Sequence, residues 1–434
     1  MHSIPLTVPT RRRSVALVCI LFPIAVFLLS RQIAANAVGL GKDTLSAIFV
    51  ISMSVVAIAG FDYRLREVRR DFRVIDTLTL LQSAIAGVAI SLYYLGGRIE
   101  PSEAVFSAYY YCFAPFLVYA GFLLCRLPGS LKNAAITALG LAYVLTVVAA
   151  VCEVLGINFW LFEHDRWSLQ PSGLGFFRAT GLYGSQIDYG CLSFMVFSAA
   201  YYTRRSGGAW RSLTMMALSS VGLLLTISRV WIAAAFVVVI VDVAARSSWK
   251  RIAGIALGSI VLLAALYPAA QSFGIVDFLS SRDELTRSSN QDRLYYYRAA
   301  PKWLLEDYVL VGTGPGTQNG PDVHGKKIVA DALWLGILVD FGTAAGSILV
   351  LLKVGFAVYV LARARKDTSR TVLKMLTIAL GLALLLPSLV DSAFEHPVSI
   401  SVFYLVAGLY LYLSSKPEPT LARQPSQPQA FELQ

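Results

Sequence analysis

Charge is scarce in this sequence. Only 15% of its 434 residues are Asp, Glu, Lys or Arg, against roughly 25% in an ordinary soluble protein. Length alone would suggest two or three soluble domains. With 56% hydrophobic residues and a mean hydropathy of +0.64, that reading is excluded, because apolar runs long enough to cross a bilayer recur from end to end. Cysteine is also scarce. The five residues Cys19, Cys112, Cys125, Cys152 and Cys191 lie in or at the edge of apolar runs, with no C-x-x-C spacing. An odd count without that spacing indicates neither a disulfide framework nor a zinc site, and small buried hydrophobes are the better reading.

The residues that would carry metal or nucleotide chemistry are missing too. The four histidines, His2, His164, His324 and His396, are scattered and make no ligand spacing. There is no D-x-D, so a metal-dependent nucleotide-sugar transferase is not suggested; Glu163-His164-Asp165 comes nearest and reads as a solvated loop. The glycine-rich stretch Gly312-Thr313-Gly314-Pro315-Gly316 lacks the Lys-Ser/Thr of a phosphate-binding loop, and reads as a tight turn. No metal and no cofactor are expected.

What is present is a series of twelve candidate spans. They cover about residues 14–30, 44–60, 74–96, 104–125, 133–156, 188–203, 212–227, 230–246, 252–272, 342–362, 371–391 and 398–414, the shorter ones extending into their flanks to cross a core of about 30 Å. The expected fold is all-α: a polytopic helix bundle of about twelve transmembrane helices, forming a single domain over residues 1–414. The net charge of +11 could suggest nucleic-acid binding, but the basic residues sit in short clusters between spans. With the N-terminus inside, those clusters (Arg11–Arg13; Arg64, Arg66, Arg69, Arg70 and Arg73; Arg204, Arg205 and Arg211; Arg363, Arg365, Lys366, Arg370 and Lys374) all fall on one side. The short loops opposite hold only Arg31, Lys42, Arg98 and Arg229. That is the positive-inside pattern, and it predicts that both termini are cytoplasmic. Arg11–Arg13, an apolar stretch to Ser30 and Ala35-Asn36-Ala37 together mimic a cleavable signal; the closely following second span favours an uncleaved helix.

Two long polar segments, 157–187 and 273–328, both fall on the outer face, where the function is expected. The second is expected to be partly helical, since Asp292–Asp307 has apolar residues at roughly helical spacing. Residues 415–434, rich in Pro and Gln, read as a disordered cytoplasmic tail.

The arginines on the outer face carry the chemistry. Arg229, in Leu225-Thr226-Ile227-Ser228-Arg229-Val230-Trp231, sits where the charge rule disfavours it; the bland alternative is a snorkelling anchor. Arg178 lies in Phe177-Arg178-Ala179-Thr180-Gly181-Leu182-Tyr183-Gly184, and Arg293 and Arg298 flank Leu294-Tyr295-Tyr296-Tyr297. Guanidinium groups bind phosphate bidentately and keep their charge when partly buried, so a lipid phosphate or pyrophosphate is the natural ligand at that depth. Asp331, in Val329-Ala330-Asp331-Ala332-Leu333-Trp334, is a candidate base or a helix N-cap. Asp322, His324 and Asp340 are alternatives to it.

These residues resemble the O-antigen polymerase/ligase family of membrane glycosyltransferases, over about residues 170–346. The resemblance is carried by the Arg178 to Gly184 segment before a span, by Ser228-Arg229 after an apolar run, and by the stretch from Arg293 to Gly316 with Asp331, Gly342 and Gly346 beyond it. Asp331-Ala332 stands where the family's ligases have His followed by Asn, Ser or Gln, and the glycine pair is one residue wider, which points to the polymerase branch. The resemblance implies a bacterial inner-membrane enzyme with a periplasmic active site. It would polymerise undecaprenyl-pyrophosphate-linked oligosaccharide repeats into O-antigen, capsule or exopolysaccharide without a metal, and with inversion at the sugar. Arg178, Arg229, Arg293 and Arg298 would hold the pyrophosphate. Asp331, or His324, would act as base, and Tyr296 and Trp303 would bind sugar faces. A separate chain-length regulator is an expected partner, beside the bilayer and the lipid-linked glycans; nucleic acid is not. Transfer of glycan to lipid A–core by a ligase is the first alternative. A lipid-linked oligosaccharide flippase or transporter is another, suggested by Gly60-Phe61-Asp62-Tyr63-Arg64 in an inside loop, and a structural membrane subunit is a third.

Overall fold

The computed structural model describes residues 42–67, 72–125, 129–155, 179, 181, 186–205, 210–226, 228–246, 298, 302–307, 309–315, 333–367, 372–385 and 397–414. Among them are eleven α-helices and no strand. In chain order they are α1 (Lys42–Glu67), α2 (Arg73–Leu95), α3 (Pro101–Ala108), α4 (Leu117–Leu124), α5 (Gly129–Val154), α6 (Gln186–Arg205), α7 (Trp210–Thr226), α8 (Arg229–Arg246), α9 (Leu333–Lys366), α10 (Val372–Leu385) and α11 (Pro397–Ser414). Ten of the twelve expected spans fall on these helices; 14–30 and 252–272 lie outside the described residues, as do the segment 157–178 and the tail. Helices α1, α2, the α3–α4 unit and α9 are each long and apolar enough to cross a membrane, and the chain is a membrane protein.

The turn between α1 and α2 departs from the expected loop. Gly60–Arg64 continues α1, which runs on to Glu67. The extension is held because Arg64 finds a partner: its guanidinium pairs with Asp76 of α2 at 2.8 Å and lies 5.4 Å from the centre of the Phe72 ring. Tyr119 of α4 donates to the same carboxylate at 2.8 Å. One carboxylate therefore ties three helices at one end of the bundle. Similar ties occur at that end, where Tyr201 of α6 donates to Asp242 of α8 at 2.9 Å and Tyr410 of α11 donates to Asp367 at 3.2 Å.

The span expected at 104–125 is a broken helix. Between α3 and α4 the chain passes through a π turn (Tyr109–Phe113) and a short 3-10 turn (Ala114–Phe116). Pro115 explains the break, since it has no N–H to donate and its ring clashes with the carbonyl four residues earlier, that of Tyr111. In a lipid environment a freed carbonyl must find another donor. Helix α2 supplies them: Gln82 Nε2 donates to the Tyr111 carbonyl at 3.4 Å and Ser83 Oγ to that of Cys112 at 2.7 Å.

Helix α4 is buried between α1 and α11. Small residues make the approach possible, as helix packing in membranes requires. A side chain on Gly121 would come within 2.6 Å of the α11 backbone at Leu405 and Leu409, and one on Gly60 or Gly408 would strike the α4 backbone. Aromatic rings fill the core around this crossing, among them Phe61 against Phe116 at 4.9 Å and Phe72 against Phe122 at 4.8 Å. Tyr109 hydrogen-bonds Ser401 of α11.

Candidate active site

The opposite end of the bundle is organised around backbone. Helix α7 ends at Thr226 and α8 begins at Arg229. Thr226 Oγ1 donates back to the Leu223 carbonyl at 2.8 Å and accepts the Ser228 N–H at 3.2 Å. The Ser228 carbonyl then accepts the Ile232 N–H at 3.0 Å, opening α8. Gly190 of α6 allows this turn to sit close, for a side chain there would meet the Trp231 ring at 2.6 Å. Trp231 is fully buried against Phe194.

The segment after Arg178 is tied to this turn. The Ala179 N–H donates to the carbonyl of Leu225 at 3.0 Å. Two residues on, the Gly181 N–H donates to Glu153 Oε2 of α5, also at 3.0 Å. Gly181 has φ +54 and leaves no room for a side chain against Thr146, so both its conformation and its surroundings demand glycine. Two pieces that the sequence keeps far apart, Ala179 and the end of α7, therefore meet through backbone.

A second construction uses the glycine-rich stretch. Gly342 interrupts α9 with φ 78 and ψ 163. An unbroken helix of that length would run about 51 Å, far beyond a hydrocarbon core of about 30 Å. Instead the arm 333–341 folds back on 343–366 so tightly that a side chain on Gly346 would lie 2.8 Å from Ile337 and Leu338 backbone atoms. The break frees carbonyls at Val339 and Asp340 and the N–H of Ala344. Residues 309–315 satisfy all three: Thr313 N–H donates to Val339 at 2.9 Å, Gly314 N–H to Asp340 at 3.0 Å, and Ala344 N–H to the Val309 carbonyl at 3.2 Å. Gly312 lies in the notch, with no room for a side chain against the backbone of Val339, Asp340 and Gly342; its N–H donates to Tyr93 Oη of α2 at 2.7 Å. Thr343 Oγ1 donates to the Leu304 carbonyl at 2.7 Å, fixing the π turn Trp303–Asp307 beside it. The turn read from composition at 312–316 is thus, as far as Pro315, the piece that completes a broken helix.

Of the residues singled out in the sequence, Arg229 opens α8 and Trp303 opens the π turn. Arg298 is helical and exposed. Asp340, the alternative base, is buried in the arm before Gly342, where its carbonyl receives Gly314. Asp331, His324, Asp322, Arg178, Arg293 and Tyr296 lie outside the described residues. Reading by motif passed over Glu153 and Tyr93, which anchor the two glycine segments, and Lys353, buried on α9 at 4.8 Å from the centre of the Tyr111 ring. Glu153 and Lys353 could have been found from their position alone, since a charged residue inside an apolar span always has a reason to be there. Tyr93 carried no such signal.

Residues 214–350 match the family model described as O-antigen ligase. The match runs from α7 through the Gly342 break, so it contains the α7–α8 turn, the 309–315 segment and the fold-back of α9. It supports the O-antigen polymerase/ligase family for this chain. No curated protein matches the sequence.

Proposed function

We propose, with that family as premise, that the chain is a glycosyltransferase polymerising undecaprenyl-pyrophosphate-linked oligosaccharide repeats at the periplasmic face of the inner membrane. The observation that carries the reading is the junction at the start of α8. Arg229 adds a formal positive charge to the positive end of a helix dipole, where a cation is unfavourable unless an anion joins it. The hydrogen bond from Ala179, the residue after Arg178 in sequence, to Leu225 at the end of α7 supports bringing Arg178 to this junction. In this proposal Arg178, Arg229 and Arg293, with Arg298, bind the pyrophosphate and stabilise the charge that grows on it as the glycosidic C–O bond breaks. Asp331 takes the proton from the acceptor hydroxyl, with His324 as the alternative base. Tyr296 and Trp303 bind sugar faces. Attack opposite the leaving group inverts the anomeric centre, and no metal takes part.

The description of the matching family favours a second reading, transfer of a finished glycan to lipid A–core. One experiment separates the two. The purified chain in detergent is given a lipid-pyrophosphate-linked repeat unit with EDTA, with and without lipid A–core, and the products are run on a gel. A ladder without lipid A–core supports the polymerase; product only with lipid A–core supports the ligase. Arg229→Ala is expected to lower either product at least about a hundredfold, the scale for removing a group that stabilises the leaving charge. Unchanged yield in Arg229→Ala would overturn the pyrophosphate assignment.

A further inference from the structure

A groove of about 530 Å³ runs along the exposed side of α2 to the α9 break. Its size falls within the roughly 300–1,000 Å³ usual for ligand sites. One wall is the face of α2 carrying Ala84, Val88 and Leu92; the others are Leu310–Val311, Phe341 and Ala345. Val88, Leu92 and Leu310 are 62%, 66% and 76% exposed, so these side chains lie on the surface of the bundle and are not packed in the core. The lining is apolar except at one end, where Tyr93 and Arg98 close it. Arg98 is the lining's single charge, and it has no ion pair among the described residues. The groove is also continuous with the candidate site, because Val311, in its wall, precedes Gly312 in the α9 notch.

We infer that this groove seats the polyprenyl chain of a lipid pyrophosphate, with the anionic head beside Arg98 and the 309–315 segment. The inference rests on the proposed function for the identity of the lipid and goes beyond it in assigning the chain's seat and Arg98's role. An apolar trough on the surface of the bundle, closed at one end by a single exposed guanidinium, complements an amphiphile with a long hydrocarbon tail and a phosphate head. Arg98 is a binding residue here, distinct from the arginines assigned to the leaving pyrophosphate.

The test uses the full chain in phospholipid nanodiscs and geranylgeranyl pyrophosphate carrying a diazirine on its chain, with labelled residues mapped by mass spectrometry. Label is expected within residues 84–92 and 341–345. Unlabelled geranylgeranyl pyrophosphate should compete for it, and added phosphatidylglycerol should not. Labelling there should fall about tenfold in Arg98→Glu, and also in Val88→Trp, which fills the groove from an exposed position. Equal labelling of other lipid-facing residues, such as Ile51 and Val55 of α1, would overturn the inference by reducing the groove to ordinary annular lipid. So would labelling indifferent to Val88→Trp. Glycan transfer from an added lipid-pyrophosphate-linked repeat unit, measured on the same nanodisc preparation without the probe, keeps the two claims apart. Groove labelling without any glycan product removes the proposed function and leaves the groove, and product without preferential labelling does the reverse.

Discussion

The two ends of the bundle are held by different chemistry. At the end carrying Arg64, Asp242 and Asp367, side chain meets side chain: a guanidinium or a tyrosine on one helix, a carboxylate on another. At the end carrying Gly181, Gly312 and Gly342, side chains and carbonyls hold backbone N–H groups, and glycine sits wherever two strands of backbone must approach. Side-chain ties fasten helices and tolerate small shifts. Backbone ties fix the path of the chain itself, because a carbonyl in an apolar setting has few other partners. A site that must present charged groups in set positions is better served by the second kind of support.

The contrast can be broken most severely at Gly312 and Gly342. Gly342→Ala forces a side chain into a positive-φ, extended-ψ conformation that is essentially confined to glycine, at about 1–3 kcal/mol, and drives it against Leu310–Val311 backbone; Gly312→Ala closes the notch itself. Both are expected to release the 309–315 segment and abolish glycan product. The check is new proteolytic cleavage near residue 312 together with loss of the gel ladder or the lipid A–core product. Cleavage unchanged from the parent would show that the notch does not depend on these glycines. Glu153→Ala comes next. It leaves the buried Gly181 N–H without its acceptor, a cost of about 1–3 kcal/mol, so transfer should drop with a modest fall in melting temperature in detergent; Glu153→Gln, which keeps an acceptor oxygen, should restore most of both. Tyr93→Phe strands the Gly312 N–H and is expected to weaken transfer less, since the three backbone bonds of the notch remain. The smallest effect on product is expected of Asp76→Asn at the opposite end. It removes the charge paired with a largely buried Arg64, which should lower the melting temperature in detergent, while glycan product per folded protein should be unaltered. If Asp76→Asn disturbed the product as much as Glu153→Ala, the distinction between the ends would have no functional meaning.

The helices were legible because hydropathy and charge are summed over many residues. The expected span edge at residue 342 falls on the α9 break because Gly342 and Gly346 interrupt an otherwise apolar run. The extension of α1 through Arg64 was not legible, since the partner that permits it, Asp76, lies on the next helix. The break at Pro115 in the fourth expected span, 104–125, was read through as continuous helix, and nothing near it in sequence says that Gln82 and Ser83 take up the freed carbonyls. Arg229 was visible as a charge where the expected topology disfavours one. Tyr93 was invisible for the opposite reason: its role is to accept one N–H from a segment far along the chain, and no local pattern encodes a distant backbone partner.

The completion of α9 by residues 309–315 also fixes an order of events during synthesis. Tyr93 and the segment 309–315 both leave the ribosome before Gly342 does. When the fold-back emerges, every group that will satisfy its opened turn already exists, and none has to wait for a later part of the chain. Unpaired carbonyls in a bilayer cost several kcal/mol each, so a helix designed to break is spared a period of exposure by having its patch made first. A permuted chain that places 309–315 after residue 366 would have the same contacts available and lose that head start.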